Sequence, residues 1–491
     1  MSQINKLVMP EFFPVASHTK NVGPGSTFVA IKGLKDDGTH YILEALKRGA
    51  THIVIDETVE LLPEINQAII DAKALITRVK NSRKALADLS TKAANINWND
   101  LTIIGVTGTK GKSTTTHMLF NLLKKTGASV ACLNSVYNMI NDTEFTAPLT
   151  TAQPDYLHQF LKLCVENKVH YVVMEVAAQA FTYHRIDGIQ FDSFIFTNLE
   201  REHGELYPTI EDYLKAKCEL FIHTKINASV FVNSDDAAGN VIIKQKAQLK
   251  RETYSNVIGY SLKNNYKAYY NAHYKALENN KSSVSLMINN NNYAFNYTGF
   301  SGFFNAYNVT AALAALNVFI PITPTLLGTE SFAFPPLRGR CEEYNLPNGA
   351  RVIIDYAHTP NSFDAILRST RQLTNNLIVI FGAGGGKDHE KRPMMGSIAA
   401  HFADTVILTS DNPRHEDPVA IVESIKKGIE NNNDQEKVMI ELDRQKAIEF
   451  AYQKAQEGTI IMLLGKGPDE YQIIGDTKVP FSEKNIVLGF K

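Results

Sequence analysis

Two rhythms of apolar residues divide this chain of 491 residues. Through the first 98, strand-like runs at 27–31 and 51–55 alternate with helix-like stretches at 41–47 and 84–93. The mostly polar stretch 95–100 then marks a boundary. From 99 to about 335, short apolar, β-branched runs at 101–106, 129–133, 171–176, 191–198 and 229–232 read as buried strands. Helices are predicted at 114–123, 155–166, 210–221 and near 305–318. The runs 283–288 and 293–297, joined through asparagines, read as an antiparallel hairpin on the edge of this segment. From 336 onward, apolar strands at 351–354, 377–381, 405–409 and 459–464 alternate with helices, the pattern of a doubly wound parallel sheet. The expected class is α/β in three domains, because the chain is too long for one core. They are a small N-terminal α/β domain at 1–98, a central domain at 99–335 and a C-terminal Rossmann-like domain at 336–491. The central domain combines a parallel sheet with an antiparallel subsheet.

Composition narrows the classes of function. Hydrophobic content of 44% and charged content of 21% suit a globular protein. A net charge of −1 gives no electrostatic case for nucleic acid or an anionic membrane as partner. Cys132, Cys164, Cys218 and Cys341 lie far apart, without zinc or disulfide spacing. The N-terminal stretch lacks the apolar core of a signal peptide, and no apolar run reaches roughly 18 residues. The chain reads as cytoplasmic.

The chemistry centres on Gly108-Thr109-Lys110-Gly111-Lys112-Ser113, set between the strand 101–106 and the helix 114–123. Glycines let successive N–H groups point inward at the positive end of the helix. Lys112 adds a cation for the β- and γ-phosphates, and Ser113 a hydroxyl for Mg²⁺. Strict phosphate-loop spacing asks for glycine at Val106, so this is a variant, anchored by its strand–loop–helix context. It reads as an ATP site. Glu175 closes a buried strand that a parallel sheet would bring beside this loop, which makes it a metal-ligand candidate. Read alone, Lys215 and Lys217 are solvated surface lysines, and Asn305 and Asn308 cap a helix. In the last segment each strand ends in a polar loop: 355–360, 382–388, 410–414 and 465–470. Ligands bind outside the carboxyl ends of such strands, so these loops predict a second site. Residue chemistry alone fits a kinase, an NTPase switch or a ligase equally well.

The motifs resemble those of the Mur ligases of peptidoglycan synthesis, and within them the MurE type. The resemblance rests on 108–115, Thr150-Thr151, Met174-Glu175-Val176, Thr197-Asn198-Leu199 and 213–217. It continues through Gly302-Phe303-Phe304-Asn305 with Asn308, Gly339-Arg340, 355–360, Lys391-Arg392-Pro393, 411–414 and Gly465-Lys466-Gly467 with Tyr471-Gln472. It implies a three-domain fold with a central phosphate-loop ATPase domain. It also implies an amide ligase using ATP and Mg²⁺ on UDP-MurNAc-L-Ala-D-Glu and a diamino acid, through an acyl phosphate.

By position in the family pattern, Gly108, Thr109, Lys110, Gly111, Lys112, Ser113 and Thr114 cradle ATP. Asn305, Arg340, Asp355 and His358 hold its adenine, phosphates and ribose. Lys112, Glu175, His203 and Lys217 are implied as catalytic; Ser113, Glu175, His203 and a carbamylated Lys217 would surround the metals. Thr150, Thr151 and Arg185 fall where the family holds the UDP-MurNAc-dipeptide, with Thr19 and Lys20 near the uracil end. Lys387, Asp411, Asn412, Arg414, Gly465 and Asp469 fall at the amino-acid site. Arg414 favours meso-2,6-diaminopimelate, because a guanidinium fork fits its distal carboxylate and L-lysine has none.

Several residues depart from the pattern. Lys387 stands for arginine, Asp469 for glutamate, Gly386 for an acidic or amide residue, and Lys110 for asparagine. Ala177-Ala178-Gln179 replaces serine-serine-histidine. The alternatives are a ligase using L-lysine or another amino acid, a related amide ligase such as that of another Mur step or of the folylpolyglutamate type, and a nucleotide-binding protein without catalysis.

Overall fold

The computed structural model describes residues 7–33, 36–202, 204, 206–246, 256–277, 281–300, 302–430 and 434–490. They form two compact units. The first holds the described residues up to His273 with Leu286–Tyr293 and Tyr307–Leu327. The second holds Tyr274–Ser285, Ala294–Ala306 and the described residues from Gly328 onward. No helix among the described residues is long and apolar enough to cross a membrane.

The first unit opens with β1 (Val15–Ala16), β2 (Thr27–Val29), α1 (Ile42–Lys47), β3 (His52–Asp56), α2 (Pro63–Asp71), β4 (Leu75–Val79) and α3 (Ser82–Ala94). The four strands pair in parallel in the order β1-β2-β3-β4. Asn81 starts α3 by accepting from the N–H groups of Arg83 and Lys84, and Asn95, at φ 50°, ends it. The pattern missed β4, an edge strand whose residues are nearly all exposed and so carry no burial signal.

A second sheet follows: β5 (Thr102–Thr107), α4 (Lys112–Lys125), β6 (Val130–Leu133), β7 (Asn138–Ile140), β8 (Thr143–Phe145), α5 (Pro154–Glu166) and β9 (Tyr171–Glu175). It continues with α6 (Ala178–Thr182), β10 (Phe191–Phe196), α7 (Ile210–Cys218), β11 (Thr224–Asn233), α8 (Ala237–Lys246) and β12 (Asn256–Ser261). The order β12-β11-β10-β5-β9-β6 is parallel, with β7 and β8 added antiparallel. Strand β5 therefore lies between β9 and β10, and register places Glu175 beside Val106 and Phe196 beside Thr107. Loops after all three strands emerge at one edge. The two sheets lock through Asp155, 4% exposed, which accepts from the Ser17 N–H at 2.7 Å and its hydroxyl at 2.8 Å.

Further on come β13 (Tyr270–Ala276), β14 (Ser282–Ile288), β15 (Asn291–Thr298), α9 (Phe303–Phe319), α10 (Pro324–Leu327) and β16 (Phe332–Ala333). Between β14 and β15, Asn289 and Asn290 both take positive φ, as a tight hairpin turn requires. Helix α9 begins two residues before Asn305, so neither Asn305 nor Asn308 caps it.

The second unit carries the doubly wound sheet: β17 (Glu342–Asn345), β18 (Arg351–Asp355), α11 (Pro360–Arg371), β19 (Leu377–Phe381), α12 (Lys391–Phe402), β20 (Thr405–Leu408) and α13 (Pro418–Glu430). It closes with β21 (Val438–Ile440), α14 (Arg444–Lys454), β22 (Ile460–Leu464), the hairpin β23 (Tyr471–Ile474) and β24 (Thr477–Pro480), and α15 (Glu483–Leu488). The order is β17-β18-β22-β19-β20-β21, parallel except for β17. Val379 and Phe381 pack into one core and Ile378 and Ile380 into another. Both faces are covered, which is why the strands read as unbroken apolar runs. Register aligns Asp355, Phe381, Leu408 and Leu464, so the four polar loops leave the sheet together, as the pattern predicts.

Candidate active site

In the first unit the phosphate loop leaves β5 at Gly108, with φ +141°, and enters α4 after Gly111, with φ +80°. A Cβ on Gly108 would lie 2.0 Å from Thr197 Oγ1, and one on Gly111 would lie 2.4 Å from Asn308 Oδ1. Both glycines are thus required by backbone conformation and by close packing. The loop is braced by the residues after β10. Asn198 Oδ1 accepts from the Lys110 N–H at 2.9 Å, and Thr197 Oγ1 donates to the Lys110 carbonyl at 2.6 Å. The Thr109 hydroxyl accepts from the Glu200 N–H at 2.9 Å. Thr114, at the start of α4, is buried. The ammonium of Lys110 pairs with Glu202 at 2.9 Å.

Ser113 and Glu175 meet: the serine hydroxyl donates to Glu175 Oε2 at 2.8 Å. Lys112 reaches the Thr109 carbonyl at 2.9 Å and lies 3.9 Å from Glu175 Oε1. Ser135 completes the cluster, with its hydroxyl 2.9 Å from that of Ser113 and its N–H on Glu175 at 3.0 Å. Sequence reasoning missed Ser135, although it follows β6 just as Glu175 closes β9, and the same strand-end rule would have found it. Asn308, a helix cap by sequence pattern alone, turns its Oδ1 to accept from the Thr115 hydroxyl at 3.1 Å.

Lys217 corrects the reading of a solvated lysine. It is 0% exposed, and its Nζ donates to the Gly108 carbonyl at 2.8 Å and sits 4.5 Å over the Tyr213 ring. Burial and the neighbouring Lys112 cation push its amine well below the ordinary lysine range, against the pull of Glu202 and Glu175. Lys215, two residues away, is exposed. His203 lies outside the described residues. Among the described residues no three His, Cys, Asp or Glu side chains gather as a metal site.

Beside this cluster, the Thr151 hydroxyl donates to the Glu175 carbonyl and accepts from the Ala177 N–H, each at 3.0 Å. Arg185 donates to the Thr151 carbonyl at 2.8 Å, while its buried Nε has no hydrogen-bond partner. Thr150 is half-buried next to it. Thr19 is buried and Lys20 exposed on the short turn Thr19–Asn21, two residues beyond the Ser17–Asp155 anchor.

The second unit holds the other sites. Asn305 is 1% exposed, with its Nδ2 3.8 Å from Cys341 Sγ. Asp355 accepts from the Cys341 and Ala357 N–H groups, each at 2.8 Å. Burial raises its carboxyl, against the lowering effect of Arg340. The Arg340 guanidinium lies 4.5 Å over Tyr356, and its buried Nη1 lacks a hydrogen-bond partner. His358 turns Nδ1 to the Tyr356 carbonyl at 2.7 Å. These groups can take an anionic or hydroxyl-bearing ligand.

Around the loops after β19, β20 and β22, Arg414 donates to the Gly385 carbonyl at 2.9 Å, and Lys466 lies 3.3 Å from both Asp411 Oδ1 and Asn412 Oδ1. A Cβ on Gly465 would lie 3.3 Å from Asp411 Oδ2. Asp469 is half-buried, and burial raises its carboxyl. Lys387 is exposed. Arg392, 1% exposed, grips Glu416 at 2.6 and 2.8 Å and reaches the Gly384 carbonyl at 3.3 Å, tying the loop after β19 to that after β20. This structure thus brings Asp411, Asn412 and Gly465 together beside Lys466, while the Arg414 guanidinium lies against the loop after β19.

Three family models match the chain in succession. They are the Mur ligase family catalytic domain over residues 15–93, the Mur ligase middle domain over 106–316, and the Mur ligase glutamate ligase domain over 339–467. A UDP-N-acetylmuramoyl-L-alanyl-D-glutamate–2,6-diaminopimelate ligase of Caldanaerobacter subterraneus subsp. tengcongensis is 35% identical over 480 residues, covering 96% of this chain and 93% of that one. One of the same name from Clostridium perfringens is 34% identical over 474 residues, covering 95% and 92%. A solved structure of a ligase of that name matches with a TM-score of 0.61 at 26% identity, over 97% of this chain and 94% of that one. The MurF ligase of Thermotoga maritima in complex with ADP shares the fold, with a TM-score of 0.64 at 19% identity over 92% and 93%.

Proposed function

The chain belongs to the Mur ligase family, and from that premise we infer that it is an ATP-dependent ligase of peptidoglycan precursor synthesis. It joins UDP-MurNAc-L-Ala-D-Glu to meso-2,6-diaminopimelate. A carboxylate oxygen of D-Glu attacks the γ-phosphorus of ATP and ADP leaves, giving an acyl phosphate. The amine of the diamino acid then attacks the acyl carbon; inorganic phosphate leaves and the nitrogen loses a proton.

The observation that carries this reading is the gathering of Lys112, Ser113, Glu175 and the fully buried Lys217 around one phosphate loop. Loop N–H groups and Lys112 neutralise the transferring phosphoryl, and the fixed loop holds it in line. A hydroxyl and a carboxylate 2.8 Å apart are the oxygen donors that suit Mg²⁺. Ser113 and Glu175 would hold it, and when bound it supplies positive charge to the phosphates. His203 belongs with this set by its place in the family pattern. Lys217 is assigned as the carbamylated lysine, since burial favours the neutral amine that adds CO₂.

Asn305, Arg340, Asp355 and His358 take the nucleoside and phosphates of ATP, the unmet Nη1 of Arg340 suiting an anion. Thr19, Lys20, Thr150, Thr151 and Arg185 take the UDP-linked substrate. Lys387, Asp411, Asn412, Arg414, Gly465 and Asp469 take the diamino acid, with Arg414 on its distal carboxylate. The enzyme works as a cytoplasmic monomer.

The test is phosphate release with ATP, Mg²⁺ and UDP-MurNAc-L-Ala-D-Glu, with meso-diaminopimelate and L-lysine offered in parallel. Release with meso-diaminopimelate alone is expected. Release with L-lysine alone would keep the ligase and overturn the role of Arg414; silence with both would overturn the ligase.

A further inference from the structure

Lys466 is fully buried, a costly place for a cation unless its surroundings use the charge. It sits just past β22, whose final carbonyl, that of Leu464, accepts from Arg444 at 2.9 Å. Arg444 and Glu483, 1% and 2% exposed, pair at 2.8 Å behind it, so Glu483 offsets the arginine that would otherwise repel Lys466. On its other side the ammonium meets Asp411 Oδ1 and Asn412 Oδ1, each at 3.3 Å.

The Asn412 side chain is the informative group. The Ile473 backbone N–H lies 2.9 Å from its Oδ1. A backbone N–H can only donate, so the atom it meets must be the amide oxygen, whichever way an amide is drawn. Lys466, also donor-only, approaches the same atom. Two donors on the oxygen fix the amide plane, and the NH₂ group is turned to the opposite side. The backbone of Asn412 is held as well, its carbonyl accepting from the Gly385 N–H at 2.9 Å.

We propose that Lys466 is a positioning residue that sets the polarity of the amino-acid site: it holds the Asn412 oxygen inward so that the amide nitrogen faces a carboxylate of the incoming diamino acid. The proposal rests on the ligase reading. It assigns to Lys466, which touches no reacting atom, the selection of an acceptor-bearing substrate.

The decisive variant is Asn412→Asp. It keeps the shape and the contacts to Lys466 and Ile473, and so keeps the fold, but puts an anionic oxygen where the nitrogen stood. KM for meso-diaminopimelate should rise at least about tenfold, the scale of one charge-assisted hydrogen bond lost, while KM for ATP stays put and the melting temperature holds or rises. Lys466→Met should raise the same KM, Lys466→Arg should recover part of it, and Lys466→Met should add little on an Asn412→Ser background. An unchanged KM in Asn412→Asp overturns the proposal, as does additivity of Lys466→Met with Asn412→Ser. Wild-type turnover with meso-diaminopimelate is the control. Its absence would overturn the reading of the acceptor as meso-diaminopimelate, whereas a working wild type with an indifferent Asn412→Asp overturns this proposal alone.

Discussion

Replacing Gly111 by alanine measures how tightly the phosphate loop is built. At φ +80° an L-residue costs about 1–2 kcal/mol of backbone strain. The added Cβ would also stand 2.4 Å from Asn308 Oδ1, closer than real contacts allow, so Asn308 must move. Moving it breaks the 3.1 Å hydrogen bond from the buried Thr115 hydroxyl, worth about 1 kcal/mol. The expected loss is therefore about 2–3 kcal/mol. Gly127 is a matched control, since its φ is +85° and nothing lies within 4 Å of its virtual Cβ. Gly127→Ala should show the strain alone. Denaturant unfolding gives the stabilities, and ATP-dependent phosphate release gives KM for ATP. Gly111→Ala should raise that KM about tenfold or more, with Gly127→Ala near wild type. Removing the obstacle should help: Gly111→Ala with Asn308→Ala should cost less than the two single losses summed. If Gly111→Ala is no worse than Gly127→Ala on either readout, the close packing of the loop against Asn308 does not set its geometry.

Arg414→Lys keeps the charge and loses the fork, so preference for meso-diaminopimelate over L-lysine in kcat/KM should fall about tenfold or more, with KM for ATP unchanged. An unaltered ratio would refute the role of Arg414. Lys217→Ala should abolish amide formation and regain part of it with an added short carboxylate; full activity without rescue would remove Lys217 from the site. The Arg392 fork holds the Glu416 carboxyl down at about 2, below its ordinary 4.5. Because the folded value is depressed, this stabilisation is present above pH 4.5 and fades as pH falls toward 2. The gap in thermal midpoint between wild type and Glu416→Gln should stay constant down to about pH 5 and then narrow. A gap that widens in acid would contradict the pairing.

Local physics made much of this molecule legible in its sequence. Strands covered on both faces leave unbroken β-branched runs, and the chemistry of a parallel sheet gathers at strand ends. Those two rules were enough for the phosphate loop, Glu175 and the four polar loops of the last segment. They failed where burial comes from elsewhere. Lys217 has the helical spacing of a surface lysine, yet packing against a carbonyl 109 residues away buries it completely. Asn308 looks like a cap until Thr115, 193 residues distant, claims its oxygen. Ser135 does follow a strand end, as the rule asks, and the pairing of β6 with β9 is what sets it against Glu175. Sequence determined which groups were available and which segments would carry them. Tertiary structure decided which face water and which face each other, because desolvation and hydrogen-bond geometry depend on neighbours that no local pattern records.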